Sequence, residues 1–402
     1  MNILIIAANW YNHGDEAAVR SMIFEIKKLF PDSDIRIHFN QHVANFTDDS
    51  IKVLKPFKRL AGRNLVKNLF YQISIRTNGL LPYLDDDAEY YREFIEAVKW
   101  ADYAIYAPGG PSIGDYYSVR KLLLDMLDII IRNNVPFSFY APSMGPFSQD
   151  QKRIIKVLNK ADVICFREEI SKGYFERLGV NHPATVTLDA AFQHRINVEE
   201  NEALLKKDKD LSEFLNRYQK VVGITVTDLK WHKDYRNTDT AEKITETFRP
   251  FVNALSQKGY GILFIPQLFG QTNDSNYMSS FSNENCFVVD ENYDCFFQQY
   301  VISKVYAVVG MRYHSNIFSA KMGTPFVSVA YEQKMSGFMK KAGLTEYCIP
   351  IKDLSYQLLD SKFSELENHY DVYKRELQAK TEYFREESYM TTKLIAESIK
   401  QK

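Results

Sequence analysis

Arg312 and His314 stand two residues apart in Gly310-Met311-Arg312-Tyr313-His314-Ser315. An apolar run precedes them, and a stretch rich in small residues (Ser319, Ala320, Gly323) follows. In an extended turn, side chains at this spacing leave the backbone on the same side. A guanidinium beside an imidazole, with Tyr313 between them, suits a small ligand bearing carboxylate and phosphate groups. The imidazole can also deliver a proton or orient a leaving phosphate. A second cluster is Asn12-His13-Gly14-Asp15, where Gly14 permits a tight turn and Asp15 can cap a following helix. Free N–H groups at such a helix start can hold an anion, and the Asp15 carboxylate can act as a general base on a hydroxyl. Arg167, directly after the apolar run Val163–Phe166, is a third cation placed to fork onto an anion, or else to pair with a neighbouring acid.

Two glycine turns complete the set. Ala107-Pro108-Gly109-Gly110-Pro111-Ser112 follows the run Tyr103–Ala107, and adjacent glycines there let a ligand approach the backbone. Ser143-Met144-Gly145-Pro146 repeats the pattern after Phe137–Tyr140. Neither turn matches a dinucleotide fingerprint or a phosphate-binding loop with a following Lys-Ser/Thr.

These residues need strands that end at one edge. Short apolar runs at Ile3–Ala8, Tyr103–Ala107, Phe137–Tyr140 and Val163–Phe166 alternate with helical stripes at Asp15–Phe30, Arg92–Lys99, Tyr117–Arg132, Gln151–Asn159 and Glu168–Leu178. The charged stretch Arg195–Lys220 reads as a helix or linker. Alternation then resumes, with strands at Val221–Val226, Gly261–Pro266, Val305–Val309 and Pro325–Val329, and helices at Ala241–Ser256, Ser315–Lys321 and Gln333–Lys341. Leu354–Lys402 reads as amphipathic helix. The pattern predicts an α/β protein built of two doubly wound parallel halves, with ligands at the carboxyl ends of the strands and a cleft between the halves. The expected division is 1–197, 198–365 and a helical segment 366–402.

Composition excludes several classes. The 402 residues carry 50 Lys plus Arg against 51 Asp plus Glu, without the positive excess of a dedicated nucleic-acid binder. Apolar residues at 45% and charged residues at 25% fit folded domains. No apolar run approaches the roughly 18 residues of a membrane span. The start MNILIIAANW has no basic leader region, so the expected location is cytoplasmic. The 4 cysteines are scattered, which argues for neither a disulfide framework nor a zinc knuckle. No ligand cluster argues for a metal, since the pair His13 and Asp15 does not by itself make a site.

One segment breaks the charge balance. Between Ile51 and Leu84 stand Lys52, Lys55, Lys58, Arg59, Arg63, Lys67 and Arg76, with no acidic residue among them and with Leu54, Phe57, Leu60, Leu65, Leu69 and Phe70 interleaved. Such a segment either grips an anionic surface or acceptor, or packs its apolar side on its own domain.

Taken in order, the motifs resemble the polysaccharide pyruvyl transferase family. The matching segments are Asn12-His13-Gly14-Asp15-Glu16-Ala17, the turns at 108–110 and 143–146, Phe166-Arg167-Glu168-Glu169-Ile170-Ser171 and Leu178-Gly179-Val180. They continue through Asp189-Ala190-Ala191-Phe192, Gly310-Met311-Arg312-Tyr313-His314 and Pro325-Phe326-Val327-Ser328-Val329-Ala330-Tyr331 with Lys334. The resemblance runs from residue 9 to about 345. It implies a GT-B-like architecture, with an acceptor-side N-terminal domain and a donor-side C-terminal domain. It also implies transfer of a pyruvyl group from phosphoenolpyruvate onto two hydroxyls of a sugar, making a ketal and releasing phosphate. The expected partners are phosphoenolpyruvate and a sugar or oligosaccharide acceptor, lipid-linked or free. No cofactor beyond that donor is expected, nor any nucleic acid. On this reading His314 and Asp15 are the acid–base candidates. Arg312, Arg167, Tyr313, Asn12, His13, Gly109 and Gly110 are the binding candidates. The rival readings are a nucleotide-sugar glycosyltransferase of the same fold and a non-catalytic scaffold in polysaccharide assembly.

Overall fold

A computed structural model describes residues 1–43, 46–57, 65–77, 88–110, 113–116, 119–269 and 274–402. Pro111, Ser112, residues 117–118 at the start of one expected helix, and 58–64 and 78–84 of the basic segment lie outside the described residues.

Contacts divide the chain into two units. Unit 1 comprises Met1–Trp10, Ala18–Ala190 and Glu387–Lys402, and unit 2 comprises Tyr11–Ala17 and Ala191–Glu386. The division after Ala190 falls before the expected boundary at 197. The expected separate segment 366–402 is mostly one helix, Tyr370–Lys400, shared between the units. Its early residue Tyr373 donates to the carbonyl of Phe326 at 2.8 Å within unit 2. Its later residues Ser388 and Thr391 bond the Asp189 carbonyl (2.6 Å) and Thr187 hydroxyl (2.7 Å) within unit 1.

In unit 1 the strands are β1 (Asn2–Ala8), β2 (Asp34–Phe39), β3 (Ile51–Leu54), β4 (Tyr103–Tyr106), β5 (Phe137–Phe139), β6 (Val163–Phe166) and β7 (Thr185–Val186). They pair in the order β3-β2-β1-β4-β5-β6-β7, with every pairing parallel. A parallel sheet must be covered on both faces, and the apolar stripes of the crossover helices supply that cover. Leu123, Leu124, Leu127 and Ile130 of the helix Arg120–Arg132 are fully buried at helical spacing. Each such side chain contributes roughly 1.5–3 kcal/mol.

Unit 2 repeats the plan with β8 (Val221–Thr225), β9 (Gly261–Phe264), β10 (Cys286–Val288), β11 (Ala307–Gly310), β12 (Phe326–Ala330) and β13 (Cys348–Pro350). Their order is β10-β9-β8-β11-β12-β13, again all parallel. Phe251, on the helix Thr240–Gln257, packs edge-on against Phe363 of the helix Tyr356–Asn368, with ring centroids 5.5 Å apart.

Chain order reverses direction between β1 and β4 in unit 1, and between β8 and β11 in unit 2. In sheets of this kind ligands bind beyond the carboxyl ends of the strands at that switch. Both switch points carry residues singled out from the sequence. Gly109 and Gly110 follow β4, and Met311 and Arg312 follow β11. The charged stretch expected as helix or linker is two helices, Val198–Lys207 and Lys209–Arg217, each capped by a side chain (Asn197 and Asp208).

Candidate functional site

At the switch point of unit 2 the Thr225 hydroxyl, ending β8, organises the chain that leaves β11. It accepts from the backbone N–H of Met311 (3.1 Å) and Arg312 (3.3 Å) and bonds the Ser315 hydroxyl (2.7 Å). Gly310 is required there, because a Cβ would stand 1.9 Å from Asn316 Oδ1. Asn316 reaches across to donate to the Ser328 hydroxyl of β12 at 2.8 Å. The helix Tyr313–Met322 therefore starts at a fixed place with Arg312 as its N-cap.

Arg312 is buried, and its fork is engaged. Nε donates to Asp274 Oδ2 (3.1 Å), and one terminal nitrogen donates to Asp274 Oδ1 (2.5 Å) and Thr227 Oγ1 (3.1 Å). Burial disfavours the charged guanidinium, but the Asp274 carboxylate and the Tyr331 phenol outweigh that, so the group is held more firmly charged than an ordinary arginine. Its carbon lies 5.3 Å from the ring centroid of Trp231, an indole that is 46% exposed. Asp274 also accepts from the backbone N–H of Gln267 and Leu268, both at 3.2 Å, and so ties the chain after β9 to the end of β11.

The same stretch after β9 holds the second cluster. His13 N–H donates to the Gln267 carbonyl at 3.0 Å, and Asn12 forms an isolated bridge with Leu268. His13 is buried, with Nδ1 2.9 Å from Glu16 Oε2 and Nε2 2.9 Å from the Glu291 carbonyl, while its ring lies 4.9 Å from that of Phe269. Glu16 further accepts from the N–H of Cys295 at 3.1 Å. Both nitrogens of His13 are thus engaged in anchoring the start of the helix His13–Leu29. Asn12 and Asp15 cap that helix reciprocally. The Asn12 side chain accepts from the Asp15 N–H and donates to the Asp15 carboxylate, both at 2.8 Å. Gly14 faces His314 so closely that a Cβ would stand 1.8 Å from Nδ1 of that ring. His314 is half-buried and also contacts the Tyr313 ring edge-on at 4.9 Å.

Beyond β12 lies a cluster of which the sequence motifs included only Tyr331 and Lys334. The Glu332 carboxylate stands 2.6 Å from Lys334 Nζ and 3.5 Å from His232 Nε2. Burial alone would raise its pKa, but Lys334 and His232 overcome that and hold it at about 2. The ring of His232 lies against those of Tyr235 (4.8 Å), Trp231 (5.4 Å) and Tyr331 (5.9 Å). Lys334 Nζ is 5.7 Å from the centroid of Tyr313.

In unit 1, Arg167 is bonded to two side chains of its own unit. It donates to Asp189 Oδ2 (2.6 Å) and the Ser143 hydroxyl (2.8 Å), and both members of the ion pair are buried. The carboxylate partner is therefore Asp189 rather than a neighbouring Glu. Glu168 instead caps the helix Glu169–Arg177 by accepting from the Ser171 N–H at 2.9 Å. The Ser171 hydroxyl in turn accepts from the N–H of Met144 (2.8 Å) and donates to the Met144 carbonyl (3.1 Å). Gly109 has φ of 147°, a backbone that favours glycine, and its carbonyl accepts from the Ser143 N–H at 3.0 Å. A Cβ on Gly110 would meet no atom within 4 Å.

Six of the nine residues picked from the sequence, Asn12, His13, Asp15, Arg312, Tyr313 and His314, thus lie in unit 2, and Arg167, Gly109 and Gly110 lie in unit 1. Asp274, Glu332, His232 and Trp231 join the first group through contacts alone. Among the described residues no three His, Cys, Asp or Glu side chains gather as a metal site.

This geometry coincides with a family match. The model of the polysaccharide pyruvyl transferases matches residues 12–333, which takes in both clusters and all but Lys334 of the contacts around them. The chain belongs to the polysaccharide pyruvyl transferase family. Among curated proteins this family member is similar to the amylovoran biosynthesis protein AmsJ of Erwinia amylovora. The two are 22% identical over 326 residues, covering 78% of this chain and 76% of AmsJ. Solved structures place its fold among GT-B proteins. The HepE protein of Anabaena, solved with UDP and glucose, gives a TM-score of 0.60 at 10% identity over 100% of this chain and 99% of its own. The UDP-GlcNAc 2-epimerase of Neisseria meningitidis gives 0.58 at 11% identity over 99% and 100%.

Proposed function

We propose that this family member transfers the pyruvyl group of phosphoenolpyruvate onto two hydroxyls of one sugar in an exopolysaccharide or its precursor. The observation that carries this reading is the placement of Arg312 and His314 at the switch point of unit 2, around the first turn of the helix Tyr313–Met322. A donor with a phosphate and a carboxylate needs cations and free N–H groups at one place. Arg312, Lys334 and the amides opening that helix provide them. Arg312 contributes charge from behind, since Asp274 already occupies its fork.

The reaction balances without an outside reagent. A proton adds to the methylene carbon and makes it a methyl group, and positive charge develops at the adjacent carbon. One sugar hydroxyl attacks that carbon and gives up its proton. The carbon–oxygen bond to phosphate breaks, a second hydroxyl closes the ring, and its proton leaves with phosphate. His314 is the proton donor to the methylene or to the departing phosphate. Asp15 receives a hydroxyl proton once its bond to Asn12 opens. Developing charge at the donor carbon is offset by Asp274 and Glu332, the two carboxylates already paired beside it.

The test incubates the full chain with phosphoenolpyruvate and a panel of methyl glycosides of glucose, galactose, mannose and N-acetylglucosamine. Phosphate release that depends on a glycoside, with a new ketal methyl signal in the proton NMR spectrum, is the expected result. Turnover with a UDP-sugar and none with phosphoenolpyruvate would replace the reading by glycosyl transfer.

A further inference from the structure

The chain leaving β8 turns sharply and holds a tryptophan out of the protein. Leu229 is buried yet has φ of 56°, a left-handed backbone that a bulky side chain rarely adopts. Its carbonyl accepts from the N–H of His232 at 2.9 Å, and His232 is buried as well. Trp231 stands between these two anchors and is 46% exposed. The indole is nonetheless fixed. Its N–H donates to the Thr227 hydroxyl at 3.4 Å, and the same oxygen accepts from Arg312 at 3.1 Å. The ring of Tyr331 meets it nearly at right angles, at 84° with centroids 6.2 Å apart. One hydroxyl thus registers an exposed indole against the buried cation at the switch point of unit 2. Backbone strain of this kind persists only where the surrounding structure holds it, and it gathers at ligand sites.

We infer that Trp231 is the platform on which the acceptor sugar stacks, and that the acceptor unit is a pyranoside. The inference rests on the reaction proposed above for where the donor lies, and adds the residue that grips the sugar. A pyranose ring has a face of weakly positive C–H bonds, and an indole has a negative face, so the two stack while the hydroxyls stay free at the sugar's rim. Transfer onto two hydroxyls needs that freedom, because neither reacting hydroxyl can serve as a permanent hydrogen-bonded handle. A platform tied to Arg312 through Thr227 keeps the ring beside a donor seated at the first turn of the helix Tyr313–Met322. Holding the ring by its face positions both hydroxyls at once. A nucleobase is the other flat ligand that an indole takes, but the proposed reaction contains no nucleotide.

The experiment follows the tryptophan emission of the full chain, without donor, as the four methyl glycosides named above are titrated in, and UDP separately. Of the 3 tryptophans, Trp10 is buried and Trp100 half-buried, so Trp231 is the most exposed. The expected result is a saturable change with at least one glycoside that is absent from Trp231→Phe. Saturation-transfer NMR should show the same glycoside bound by Trp231→Phe, and bound about tenfold more weakly by Trp231→Ala. No change with any glycoside, or unaltered glycoside affinity in Trp231→Ala, overturns the inference. A change with UDP alone overturns it in favour of a nucleobase. Should Trp231→Ala not fold, the emission of wild type and Trp231→Phe decides. Failure of the proposed reaction reads differently: Trp231-dependent glycoside binding with no phosphate released from phosphoenolpyruvate removes pyruvyl transfer and leaves the platform.

Discussion

The imidazole of His314 fills the space a side chain on Gly14 would need, with Nδ1 1.8 Å and Cγ 1.9 Å from the position of a Cβ there. The same Cβ would stand 2.5 Å from the Cβ of His314, which turning the ring cannot relieve, so Gly14→Ala should shift the start of the helix Tyr313–Met322 despite the roughly 1 kcal/mol that alanine gains in a helix. We expect the rate of phosphate release to fall at least about tenfold and the melting temperature to drop. Because the clash lies on one side chain, Gly14→Ala/His314→Gly should be no slower than His314→Gly alone. Additive losses would separate the two residues.

Asp274 is the sole carboxylate bonded to the Arg312 fork among the described contacts. Removing one partner of a buried pair leaves the other charge uncompensated, so Asp274→Ala should lower stability by about 3–5 kcal/mol in urea unfolding. The double change Arg312→Ala/Asp274→Ala should recover part of that stability and none of the activity. Arg312→Lys should also be inactive, because an ammonium cannot reproduce the fork onto Asp274 and Thr227. Normal turnover in the lysine variant would remove Arg312 from the site.

Glu332 links the second cluster to acid stability. Its folded pKa of about 2 lies below its ordinary 4.5, so it binds its proton less readily when folded. The stabilisation is complete above pH 4.5 and is lost as pH falls toward 2, with a size on the order of 3 kcal/mol. Wild type should therefore lose its stability advantage over Glu332→Gln across that window. A constant difference between the two proteins from pH 6 to pH 3 would contradict the assignment.

Arg167 separates a structural from a substrate role. Arg167→Met alone should destabilise by about 3–5 kcal/mol, and Arg167→Met/Asp189→Leu should regain most of it. If the refolded double variant keeps its KM for phosphoenolpyruvate, Arg167 is architectural. A raised KM with restored stability would make it a donor ligand.

Much of the scaffold was legible because its strands are apolar runs closed by turn residues. β6 falls at Val163–Phe166 as read, and the helices around Gln151–Leu158 and Gln333–Ala342 lie within a residue or so of expectation. β2 was missed because DIRIHF alternates charged and apolar residues and so offers no apolar run. The helix Cys295–Lys304 buries residues on all sides, including Gln298 and Gln299, and so has no polar face to reveal its period. The Arg-x-His element was visible because both members lie on one short segment. Asp274 was not, because it follows β9 while its partner Arg312 follows β11, and Glu332, though two residues from Lys334, meets His232 from beyond β8 only in the fold.

Each cation beside the unit 2 switch point already has an acid in its grasp, Arg312 with Asp274 and Lys334 with Glu332. On the reading proposed above, a donor anion would therefore meet two cations whose carboxylates stay in place, a nearly neutral surrounding rather than an empty positive hole. Its hold would then come from the amides that open the helix Tyr313–Met322 more than from net charge. Added salt should accordingly weaken that hold only modestly.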